Sequence, residues 1–160
     1  MTHLATDPLT LVHLAISLAA ILTGLPVLGA MLKGKMPITL TGIFLALTVL
    51  TSVTGFFFPN TTITPAMIIG AISLVVLALA LFALYGRHLA GHWRTAFVVT
   101  ATLALYLNVF VLVIQTFIKI PALHALAPSI PPSGPIFGAV QGLVLIGFLL
   151  AGWRAIRAGA

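Results

Sequence analysis

Residues Leu9–Phe58 read LTLVHLAISLAAILTGLPVLGAMLKGKMPITLTGIFLALTVLTSVTGFFF, two long apolar runs joined by Lys33-Gly34-Lys35-Met36-Pro37. A helix rising 1.5 Å per residue crosses a bilayer core with about 20 predominantly apolar residues. Both runs meet that length. The five-residue linker between them carries two cations and a proline, so it ends one helix and makes the next its antiparallel neighbour.

The same reading extends along the chain. Apolar stretches at Leu9–Leu32, Ile38–Phe58, Ala66–Tyr85, Thr95–Ile120 and Ile136–Ile156 (9–32, 38–58, 66–85, 95–120 and 136–156) are each bounded by breakers or charges. The expected fold is an all-α integral membrane protein. It is a single transmembrane domain, residues 1–160, forming a bundle of five transmembrane helices. Pro121, Pro128, Pro131, Pro132 and Pro135 keep the segment before the last span from forming a long helix, leaving room for one short turn near Ala122–Leu126. Pro26 is expected to kink or loosen the first helix.

Charge sets the orientation. The chain has seven Lys and Arg and one acidic residue, Asp7, with 61% hydrophobic residues. In a five-span topology Lys33, Lys35, Arg87, Arg94, Arg154 and Arg157 fall on one side and Lys119 on the other. Cations concentrate on the cytoplasmic side, which predicts an outside N-terminus and a cytoplasmic C-terminus, with the bacterial inner membrane as the expected location. Tyr85, Trp93 and Trp153 then lie at the inner interface, where amphipathic aromatics anchor. Residues 1–8 contain no cation, and the run that follows is longer than a signal core, so no cleaved leader is expected.

The scarcity of acids excludes many functions. No carboxylate lies inside a span, which argues against proton relays and coupled pumping. Di-iron bundle chemistry and paired-carboxylate hydrolysis lack their residues. Without cysteine there is no thiolate nucleophile or thiolate metal site. The cations are scattered singly or in pairs between apolar runs, so they form no stripe for nucleic acid. A non-catalytic role is expected, with the lipid bilayer and a membrane-protein partner or second copy as partners. No catalytic residue and no metal site are expected.

The remaining polar residues allow two readings. Asn108, Gln115 and Lys119 fall within roughly 40° of one another on the fourth helix. Gln141 on the fifth span and His13 on the first lie in the same outer half. As structural residues they would hydrogen-bond between helices, at about 0.6 kcal/mol each on average. Alternatively His13, Asn108, Gln115, Lys119 and Gln141 would line an outward polar pocket for a quinone head group or lipid. No cofactor is expected on the first reading, and a quinone or haem on the second. Bis-His haem would need two His at matched depth, and only His13 with His124 approaches that. His88 and His92 read as interfacial loop residues. A facilitative transporter or channel is a third reading, weakened by the lack of charged groups along the span.

Gly134, Gly138 and Gly142 form a G-x3-G-x3-G run, a spacing that lets helix backbones approach closely. Packing inside the bundle is the preferred expectation, with a dimer interface as the alternative. Ala66, Gly70 and Ser73 offer a weaker small face on the third span.

Overall fold

The computed structural model describes residues 7–160. Residues 1–6, on which most of the leader reading rests, lie outside the described residues. The described residues form helices and no strand: α1 (Pro8–Met31), α2 (Ile38–Thr54), α3 (Pro65–Leu81), α4 (His92–Lys119), the single-turn α5 (Pro121–His124) and α6 (Pro135–Ala158). A 3-10 turn at Gly55–Phe57 prolongs α2, and a π turn at Phe82–Gly86 prolongs α3. Five of these helices are long and apolar enough to cross a membrane.

Local chemistry sets the helix ends. Asp7 caps α1, its carboxylate accepting from the Thr10 amide at 3.4 Å. The lone acid therefore serves the first orphan amides of a helix, where negative charge also meets the positive end of the helix dipole. Thr64 caps α3 in the same way through the Met67 amide. Proline opens α1, α3, α5 and α6, a position where its missing N–H costs no helical bond.

The turn after α1 depends on Gly34. Its φ is +69°, and a Cβ there would lie 2.6 Å from the Ala158 carbonyl oxygen. The linker thus needs glycine both for its left-handed backbone and for the approach of the α6 C-terminus. Arg94 donates to the Gly34 carbonyl at 3.3 Å, tying the start of α4 to the same corner. Pro26 leaves α1 continuous as a helix. His92 begins α4 rather than lying in the loop, while His88 and Leu89 take positive φ in the link before it.

α4 is the central strut, packing against α1, α2, α3 and α6. The tightly buried core fills one half of the bundle: Val27 and Met31 from α1, Phe44 and Leu45 from α2, Leu77 and Ala80 from α3, and Phe97, Ala101 and Leu105 from α4. These residues lie toward the end that carries Lys33, Arg94 and Arg154. Toward the other end α4 is only half-buried from Tyr106 to Thr116. α6 is the least enclosed span, with 6% of its most apolar window buried against 28–33% for the others.

Candidate functional site

Three of the five residues expected in the outer cluster, His13, Asn108 and Gln141, make interhelical hydrogen bonds. His13 on α1 meets Thr54 on α2, with Nδ1 to Oγ1 at 2.7 Å. The Thr54 hydroxyl donates to the Leu50 carbonyl at 2.7 Å. Its hydrogen is thereby committed, so the His13 Nδ1–H is the donor. The imidazole edge also packs on Phe58, with centroids 5.2 Å apart.

Asn108 joins α4 to α2. Its Nδ2 donates to Thr48 Oγ1 at 3.4 Å, and Thr48 donates to the Phe44 carbonyl at 2.8 Å. Gln141 joins α6 to α4, its Nε2 donating to the Phe110 carbonyl at 3.1 Å. The Gln141 Oε1 is buried without a partner. Gln115 is half-buried and Lys119 exposed on the last turns of α4.

His13, Asn108 and Gln141 are thus each engaged across a different helix seam. None of the five lines the cleft at the end of α1 or the apolar cleft between α1, α4 and α6. The bonds of His13, Asn108 and Gln141 each join two helices in the half of the bundle where apolar burial is thin. Gln141→Leu is expected to change stability by less than about 1 kcal/mol, because the lost hydrogen bond is offset by removal of an unsatisfied buried oxygen. Unfolding in detergent micelles, followed by helical circular dichroism, measures this.

His124 closes α5 with its Nδ1 buried and unpartnered, and the Nδ1 of His13 is committed to Thr54. Among the described residues no group of three or more His, Cys, Asp or Glu is placed to hold a metal ion.

The glycine run behaves differently from the intramolecular packing expected of it. Gly134 precedes α6 at φ +100°, so only Gly138 and Gly142 form a helical pair. A Cβ at either would meet nothing within 4 Å. They lie on the side of α6 that carries exposed Leu149 and Trp153, away from Gln141 and Phe148, which face α4. The small face on α3 is the one used inside the bundle. Ser73 is buried, and a Cβ at Gly70 would lie 3.3 Å from the Phe56 ring and 3.5 Å from the Ser52 carbonyl.

At the cation-rich end two arginines are occupied by aromatic rings. Arg87 lies over Trp93 at 5.5 Å and Arg157 over Trp153 at 4.9 Å. Lys33, Lys35 and Arg154 instead border a cleft of about 610 Å³ between the end of α1 and α6. Read singly, these cations serve as span punctuation, and their convergence is a tertiary fact. The sequence signal that bears on it is Pro26-Gly29-Ala30-Lys33, whose spacing places all four on one side of α1.

No protein-family model, curated protein or solved structure matches this chain.

Proposed function

We propose that the chain is a small, non-catalytic integral membrane protein of the bacterial cytoplasmic membrane, acting as an accessory or structural subunit through helix packing. α6 is the docking element, and its counterpart is a transmembrane helix of a second copy or of a larger membrane complex. The observation that carries this reading is the open Gly138–Gly142 pair on the least enclosed span. Between helices in lipid, close backbone approach replaces the hydrophobic drive that operates in water. Two adjacent glycines left uncovered are the surface such an approach requires. The cation bias of the loops supports a cytoplasmic C-terminus. The carboxylate inventory supports the absence of catalysis, since the single acid caps a helix.

The chain contains no cysteine, so single-cysteine variants give an unambiguous test. In native membranes Gly142→Cys is expected to form a disulfide-linked or maleimide-linked adduct. Val75→Cys, at an α3 residue that is 65% exposed, is expected to remain uncoupled. Adding Gly138→Leu to Gly142→Cys should bring the adduct down to background. An adduct of doubled mass identifies self-association, and a heavier one a different subunit. Equal coupling at Val75→Cys and Gly142→Cys, or none at Gly142→Cys, refutes the docking role. Resistance of the chain to alkaline carbonate extraction checks the membrane assignment separately.

A second reading, a quinone or lipid head group bound in the His13–Gln141 half, draws support from the unpartnered Gln141 Oε1. A buried acceptor without a donor is uncommon, and a ligand hydroxyl would satisfy it. Quinone co-purifying with the wild type and lost in Gln141→Leu would favour this reading over helix packing.

A further inference from the structure

We propose that the seam between α1 and α6 at the cation-rich end binds one anionic phospholipid. Its phosphate sits among Lys33, Lys35 and Arg154, and an acyl chain lies in the groove beneath. This inference rests on the membrane assignment above and is independent of which partner α6 meets.

Two clefts follow one another along that seam. The first, of about 610 Å³, is lined by Lys33, Lys35 and Arg154 together with Pro26, Gly29 and Ala30. The second, of about 280 Å³, is walled entirely by apolar residues or glycine, among them Leu25, Leu28, Gly147 and Ala151. Leu25, Gly29 and Leu32 are spaced by four and three residues, as are Gly147, Ala151 and Arg154. Each set therefore forms one stripe on its helix. The α1 stripe and the α6 stripe each contribute to both clefts, with Val109 of α4 also lining the second, and we take the two as the charged and apolar stretches of a single groove. From Arg154 to Gly147 the groove descends about 10 Å along α6, at 1.5 Å per residue.

The shape follows from small side chains. A Cβ at Gly29 or at Gly147 would meet nothing within 4 Å. Both glycines leave width in the seam rather than permitting contact across it.

The charge at the mouth is selective. The only Asp or Glu in the chain is Asp7, which caps the opposite end of α1. No acidic side chain therefore neutralises Lys33, Lys35 or Arg154. Arg87 and Arg157 are stacked on tryptophans, and Arg94 is held by the Gly34 carbonyl. Three cations over an apolar slot, at the end of the bundle where lipid head groups lie, match an amphiphile with an anionic head. Basic pockets between transmembrane helices recognise phospholipid head groups by this combination. Free phosphate would use the mouth alone.

Native mass spectrometry of the purified full chain tests the assignment, with palmitoyl-oleoyl phosphatidylglycerol and phosphatidylcholine as probes. The wild type is expected to retain one phosphatidylglycerol under conditions that strip phosphatidylcholine. Each cation removed should weaken retention about fivefold, and K33Q/K35Q/R154Q together about a hundredfold. R87Q/R157Q, at the same end of the bundle, should retain the lipid as the wild type does. Gly29→Leu and Gly147→Leu start from positions where an added Cβ meets nothing within 4 Å, and should fill the slot and lower retention while the head-group cations remain. Equal retention of both lipids overturns the proposal, as does equal loss in R87Q/R157Q. Retention unaffected by both slot-filling variants, or full displacement by millimolar inorganic phosphate, reduces the site to a general cationic surface and also overturns it.

Discussion

Gly24→Ala is expected to lower the stability of the bundle by about 1–3 kcal/mol, the range for overpacking a closely filled interior. Gly24 lies where α1 crosses α2 and α4. A Cβ there would come within 2.6 Å of Leu105 Cδ1 and 2.8 Å of Phe44 Cε2. Side-chain ends can often move aside, but Leu105 and Phe44 are each 1% exposed. Neither has free space to enter, so the added methyl must separate helices or force strained rotamers. Gly24→Leu adds three further carbons to the same contact and is expected to prevent the native packing. Unfolding in mixed micelles, followed by helical circular dichroism, measures the alanine variant. Gly29→Ala provides the control. It lies one and a half turns along the same helix, its Cβ meets nothing, and its higher helix propensity should leave stability unchanged or raised.

Phe44→Ala is expected to cost about 3 kcal/mol, near the lower end of the range for removing a buried phenylalanine. In water such a loss includes transferring the side chain from solvent and the cavity left behind. In a bilayer the separated helix faces lipid, which is as apolar as the core. The transfer contribution is therefore small, and most of the cost is lost dispersion contact around Ile21, Gly24 and Leu105. Because Phe44 and Gly24 share one contact, their variants should not be additive. Phe44→Leu with Gly24→Ala is expected to recover part of the alanine cost, with a coupling of about 0.5–3 kcal/mol. The same unfolding measurement on the two single variants and the double variant reads the coupling. Strict additivity would mean that α1 relaxes away from α2 instead of holding its crossing.

Much of the architecture is legible in the sequence alone. The five apolar runs and their breakers are local features, and several helix ends have a cause within a few residues: Asp7, Thr64, Gly34 and the opening prolines. The polar residues were legible as polar and deep, but their partners were not. Thr54, Thr48 and the Phe110 carbonyl accept from His13, Asn108 and Gln141, and each lies 31–60 residues away along the chain. Sequence separation of that size leaves pairing to the helix arrangement. The glycine run shows the same limit. Its spacing announces that a backbone can come close, and the arrangement of α6 decides that no helix of this chain does so at Gly138 or Gly142. The weaker face at Gly70 and Ser73 is the one that packs.

What the sequence determined by itself was the number of membrane-spanning helices, their approximate extents and the gathering of cations at alternate turns. Each of these follows from transfer free energy and backbone chemistry summed along a short segment, so neighbours in sequence suffice. What only the tertiary structure decided was which face of each helix meets which other. That includes the central place of α4, the open side of α6 and the cationic cleft at its seam with α1. The physical reason is that apolar residues surround every span, since lipid and protein interior are nearly equivalent solvents for them. Helix contacts in such a chain are chosen by shape, small residues and a few hydrogen bonds, and those come together only in three dimensions.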